Sequence, residues 1–137
     1  MSDYNKKTSQ PNIICRDIYF VETRFVAAIF DHIILKPGNT SFDKFEATNK
    51  RQFSEPVRKD KSKNEFYDQS LTFDYNANYP HELIGKQYVV KIAYSDGTVK
   101  QLGSLKQPAE IHFEKKDNIS NITFSCKSYT PAKELVL

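Results

Sequence analysis

The chain has no tryptophan, one methionine, two cysteines and only four glycines in 137 residues. So few glycines cannot furnish a phosphate-cradling loop, and no P-loop, G-x-G-x-x-G or G-x-S-x-G pattern occurs. With six prolines, the composition also excludes collagen-like and low-complexity chains. Cys15 and Cys126 lie near opposite ends with no C-x-x-C partner, so neither a thiolate metal site nor a redox pair is spelled out. Secreted frameworks carry more bridges in fewer residues, and two reduced, buried thiols is the favoured reading. No run approaches the roughly 18 apolar residues of a membrane span, and the polar start MSDYNKKTSQPN lacks a secretory pattern. Synthesis and retention in the cytoplasm, with no membrane partner, is the expectation. The net charge of +3 falls short of the basic stripe of a dedicated nucleic-acid binder.

What the chain does have is aromatic side chains, ten Phe and eight Tyr, and short apolar alternations. These suit the thin core of a sandwich or barrel. Residues 1–11 read as a flexible N-terminal arm and 12–137 as a single β-rich domain. NIICRDIYFVE alternates with Ile13, Cys15, Tyr19 and Val21 on one face and Ile14, Arg16, Ile18 and Phe20 on the other. Apolar on most positions, it reads as a strand covered on both sides. TRFVAAIFDHIILKPG is open to two readings. At period two it is a strand; as a helix, Thr23 caps a stripe of Phe25, Ala28, Ile29, His32 and Ile33 that Pro37-Gly38 ends. Its β-branched content favours the strand.

Residues 45–65 form either a long polar loop or an extended hairpin. They hold the densest basic cluster: Lys50, Arg51, Arg58, Lys59, Lys61 and Lys63, diluted by Glu55 and Asp60. A solvated segment is the plain reading; a contact arm for a partner is the sharper one, because long loops in compact domains are often functional. Further strands follow at YDQSLTFDYN, in AEIHFE and in NITFSC, with a turn or single helical turn at YPHELIGK and a turn at DNISN. The fold class expected is mainly β, a single-domain antiparallel sandwich or barrel.

YVVKIAYSDGTVKQLGS, residues 88–104, is the most legible hairpin. A two-residue turn at Asp96-Gly97 pairs Tyr94 with Val99 but leaves Leu102 opposite Lys91. A three-residue turn with Gly97 in a left-handed bulge pairs Ala93 with Val99 and Val90 with Leu102. That register buries Leu102 yet sets Val99 on the Lys91–Ala93 face. The bulge is preferred, though neither register is clean.

Chemistry is thinly signalled. His32, His81 and His112 are isolated, and none belongs to a metal-spaced pattern. Glu110, His112 and Glu114 share a strand face, but roughly 7 Å between successive positions is wide for a tetrahedral site. The thiols sit in apolar strands, where they should be poorly ionised. No catalytic, cofactor or metal residue is assigned, and no enzyme activity is expected.

An ordered set of features nevertheless stands out across residues 53–132. Phe53-Ser54-Glu55 precedes a polar spacer and the aromatic-led strand at Tyr67. The Asp96-Gly97 turn is followed by Leu102-Gly103-Ser104 and then Pro108 entering a strand. NITFSCKSYTPA closes the set. This order resembles small structural proteins encoded in the tail gene clusters of phages and prophages of Bacteroidetes hosts. The resemblance implies a non-enzymatic virion protein, a β-rich tail component of the tube, terminus or baseplate. It would form homo-oligomers or rings with other virion proteins, first in the host cytoplasm and then in the virion. A head–tail connector or capsid decoration protein is the nearest alternative. A small nucleic-acid-binding regulator using residues 50–63 is the alternative from another class.

Overall fold

The computed structural model describes residues 15–38, 40–45, 49–75 and 81–135; the side chains of residues 49, 50 and 116 are outside that description. The expected arm, residues 1–11, lies outside the described residues. Among the described residues, twelve strands form two antiparallel sheets packed face to face and a small covering hairpin. The first sheet has the order β12 (Lys133–Leu135), β9 (Val99–Leu102), β8 (Tyr88–Tyr94), β1 (Cys15–Glu22), β4 (Asp43–Phe45). The second has the order β10 (Glu110–Lys116), β11 (Ile119–Ser128), β7 (Glu65–Tyr75), β5 (Asn49–Ser54), with β6 (Val57–Lys59) also on β7. Among the described residues neither sheet closes on itself, so the fold is a sandwich and not a closed barrel.

Between the sheets lies an aromatic core. Phe20 stacks on Phe45 at 4.8 Å, and Phe45 meets Phe73 at 4.9 Å. Phe124 contacts Phe20 and Tyr88, both at 5.8 Å. Ile18, Val90, Ile92 and Leu102 from one sheet face Leu71, Ile122 and Ile111 from the other, all buried. Burying each such side chain contributes about 1.5–3 kcal/mol. Tyr88 is fully buried because its hydroxyl donates to the Leu83 carbonyl at 2.7 Å, leaving no unmet polar group. Leu83 belongs to a 3-10 turn, His81–Leu83, which is where YPHELIGK was expected to turn.

A second apolar cluster covers the outer face of the first sheet. β2 (Val26–Ile29) and β3 (Ile33–Leu35) form a hairpin that lays Val26 and Ile33 on Val21, Val89, Val99 and Leu135. A 3-10 turn at Thr23–Phe25 folds the chain over, held by Thr23 N–H to the Gln87 carbonyl at 2.9 Å. The strand reading of residues 23–36 is therefore upheld in kind and corrected in form. It is two short strands around Phe30–His32, where the Phe30 amide donates to the His32 carbonyl at 3.1 Å.

The covering cluster also settles the hairpin at residues 88–104. Val90 pairs with Leu102 and Ala93 with Val99, the bulged register. Gly97 has φ +90°, and the Tyr94 amide donates to the Thr98 carbonyl at 2.9 Å. Val99 on the Lys91–Ala93 face is no conflict, because that face is covered too.

One face assignment is overturned. Cys15 packs with Ile18 and Phe20 in the central core, not with Tyr19 and Val21. A bulge between Cys15 and Asp17 inserts Arg16 as an extra residue, so Cys15 opposes Tyr94 while Asp17 opposes Ala93. One inserted residue flips every side chain before it to the other face.

Candidate functional site

Of residues 45–65, the described stretch 49–65 takes the extended-hairpin form. β5 and β6 lie along the same side of β7 in one register, Ser54 opposite Ser70 and Val57 opposite Tyr67. Pro56 interrupts the ladder only because it has no N–H to give; its carbonyl still accepts from the Asp68 amide at 2.9 Å. At the tip, Asp60 Oδ1 accepts from the amides of Ser62 and Asn64, each at 2.9 Å. Lys63 takes the left-handed position at φ +64°, the place Gly97 fills in the other three-residue turn.

The five described basic side chains do not form one surface. Arg51 is half-buried, and its Nη1 donates to the Cys15 carbonyl at 2.8 Å, tying the edge of the second sheet to the first. Arg58 Nε reaches Asp68 Oδ2 at 2.8 Å, an exposed pair worth about 0–1 kcal/mol. Lys59, Lys61 and Lys63 remain exposed around the tip, beside Asp60 and exposed Val57. The side chain of Lys50 lies outside the described residues.

At one end of the sandwich, a polar joint brings together Glu55, Ser104 and Cys126 from the ordered set with Gln69, Gln101 and Gln107, contacts that no motif spelled out. Glu55 Oε2 accepts from Gln69 Nε2 at 3.2 Å and from the Ala132 amide at 3.0 Å. Gln69 also donates to the Thr130 carbonyl at 3.3 Å and is fully buried. The Ser104 hydroxyl accepts from the Gln107 amide at 3.0 Å, and Cys126 Sγ donates to the Gln107 carbonyl at 3.0 Å. Gln101 Nε2 donates to the Gly103 carbonyl at 2.7 Å, while its Oε1 is buried without a hydrogen-bond partner among the described residues. A cavity of about 180 Å³ lies among Gln69, Gln101, Gln107, Cys126 and Thr130. A more open cleft of about 630 Å³ adjoins it, lined by Ile29, Leu105, Gln107 and Tyr129. Gln69 and Gln101 had their own signal in the sequence, a glutamine at a position that alternation assigns to the interior.

Two further features bear on reactivity. Burial pushes the thiols of Cys15 and Cys126 up from 9.0 to about 11 and leaves both free and protonated. Lys91 lies over the ring of Phe42 at 3.8 Å and of Tyr19 at 5.4 Å, and burial lowers its pKa. It lines a cavity of about 450 Å³ with His32, Ile33 and Val99. Among the described residues, no group of three His, Cys, Asp or Glu side chains could hold a metal ion. Glu110, His112 and Glu114 are exposed on β10. No helix of the described residues is long and apolar enough to cross a membrane.

The fold and these surfaces define a two-sheet antiparallel sandwich with one outer face capped and its polar joint at one end. No known protein family, curated protein or solved structure matches the chain.

Proposed function

We propose that the protein is a self-assembling structural component of a phage virion, most specifically of the tail. The observation that carries this reading is where the ordered features of residues 53–132 fall. Glu55 of Phe-Ser-Glu anchors Gln69 and Ala132, and Ala132 belongs to the closing Thr-Pro-Ala. Gly103 of Leu-Gly-Ser lies where the two sheets meet, at the paired amides and carbonyls of Tyr88 and Ala109. The features that resemble tail-cluster proteins are joints of the module, which supports a structural role. Such a module acts geometrically, through its open sheet edges and its projecting β6–β7 tip.

Mass spectrometry of purified virions from a phage encoding this chain tests the reading. Structural copy number in isolated tails supports it; recovery with heads alone moves the protein to a connector or decoration role, and absence from virions overturns it. The regulatory alternative predicts steeply salt-dependent DNA binding that is lost when Lys59, Lys61 and Lys63 are changed to glutamine.

A further inference from the structure

Lys91 stands at a strand position where alternation calls for an apolar side chain. Along β8 it alternates with Val89 and Ala93, both part of the cluster on the outer face of the first sheet. β8 is an interior strand, and Lys91 pairs with Tyr19 of β1 on one side and Gln101 of β9 on the other. A half-buried ammonium in such a place is costly unless an opposite charge meets it. Lys44, on the far side of Tyr19, has that charge: its Nζ reaches Asp17 Oδ1 at 3.3 Å. Among the described residues Lys91 has no carboxylate partner. Its ammonium lies instead over two rings, 3.8 Å from the Phe42 centroid and 5.4 Å from that of Tyr19. Burial lowers its pKa, and no carboxylate offsets the shift.

The same side chain lines the cavity of about 450 Å³ beside the covering hairpin. The other walls are chiefly apolar: Ile33 from β3, Ala93 from β8, Val99 from β9 and Leu135 from β12. Cavities of roughly 300–1,000 Å³, apolar with a few polar groups converging on them, are the usual form of a small-molecule site.

We propose that this cavity binds a small apolar carboxylate, with the acid group paired to the Lys91 ammonium and the hydrocarbon body against Ile33, Val99 and Leu135. Charge selects the class. One lysine supplies one positive charge, which a monocarboxylate neutralises. A dianionic phosphate would carry into an apolar site a charge that nothing there meets. The walls select within the class, because a short acid such as acetate gains almost no buried apolar area. Pairing gives Lys91 a charge-assisted hydrogen bond, a stronger contact than a ring face provides. The proposal stands on this cavity and does not depend on the virion assignment.

Sodium octanoate is the probe, with octan-1-ol and octylammonium as neutral and cationic counterparts of the same chain length. By isothermal titration calorimetry, octanoate should bind the wild-type protein, and octylammonium should bind it at least about tenfold more weakly. Lys91→Met keeps the length of the side chain and removes its charge. It should weaken octanoate at least about tenfold and leave octan-1-ol unchanged. Lys91→Arg keeps the cation and should hold octanoate within a few-fold of wild type. Far-UV circular dichroism checks that both variants fold, and the comparison of octanoate with octylammonium needs the wild type alone. Octanoate bound as tightly by Lys91→Met as by wild type, or no more tightly than octylammonium, would overturn the pairing. Octanoate that fails to bind the wild type would overturn the site.

Discussion

Replacing Gly103 by alanine adds one methyl group at the seam between the two sheets. Gly103 has φ +86°, and a Cβ there would lie 2.8 Å from both the Ala109 amide nitrogen and the Tyr88 carbonyl oxygen. Those two atoms hydrogen-bond each other at 2.8 Å, and the reciprocal Tyr88 amide to Ala109 carbonyl bond is equally short. The methyl group cannot be admitted without parting this bridge. Left-handed backbone costs an alanine about 1–2 kcal/mol. Overpacking adds about 1–3 kcal/mol. The less flexible unfolded chain returns about 0.4–1 kcal/mol. A net loss of about 2–4 kcal/mol is expected, a drop in Tm of about 10 °C for a domain this size. Gly97→Ala is the control, because Gly97 has φ +90° with nothing within 4 Å of the added atom. It carries the conformational cost without the clash and should lose only about 1 kcal/mol. Urea unfolding followed by circular dichroism and tyrosine fluorescence reads both, since the chain has no tryptophan. Equal midpoint shifts for the two variants would refute the clash and, with it, the role of Gly103 in setting the distance between the sheets.

Glu55→Ala removes the acceptor shared by Gln69 and the Ala132 amide and should cost about 1–3 kcal/mol. Hydrogen exchange at Ala132 should rise with it; unchanged protection there would detach Glu55 from the joint. Lys63→Gly relieves a left-handed lysine at φ +64° and should be neutral to stabilising by up to about 1 kcal/mol in urea. A clear loss would mean the turn does not hold that backbone. The two thiols bind their protons more tightly folded than unfolded, because burial raises them from 9.0 to about 11. Their contribution to stability is complete below about pH 9 and is lost as pH climbs toward 11. Urea midpoints measured from pH 8 to 11 should fall over that window, and less steeply for Cys126→Ala. A flat wild-type profile would contradict burial of the thiols.

How much of the contact surfaces could be read in advance differs by element. The cluster from Lys50 to Lys63 was visible as composition, yet only folding decides which cations face outward. Arg51 turns to the Cys15 carbonyl because β5 forms an edge close to the start of β1, a proximity that sequence separation hides.

By itself the sequence determined the strand class, the left-handed glycine at position 97 and the interior placement of both thiols. Each of these follows from local rules: two-residue alternation, the missing Cβ of glycine, and apolar neighbours along one strand. The tertiary structure decided what local rules leave degenerate. Val99 and Ala93 are satisfied on a second face because the β2–β3 hairpin folds over it. Cys15 changes sides because one extra residue enters β1 opposite β8. Val26–Ile29 and Ile33–Leu35 form a two-strand hairpin packed on the outer face of the first sheet. Alternation states that a side chain must be buried but does not say by what; that depends on contacts between segments far apart in the chain.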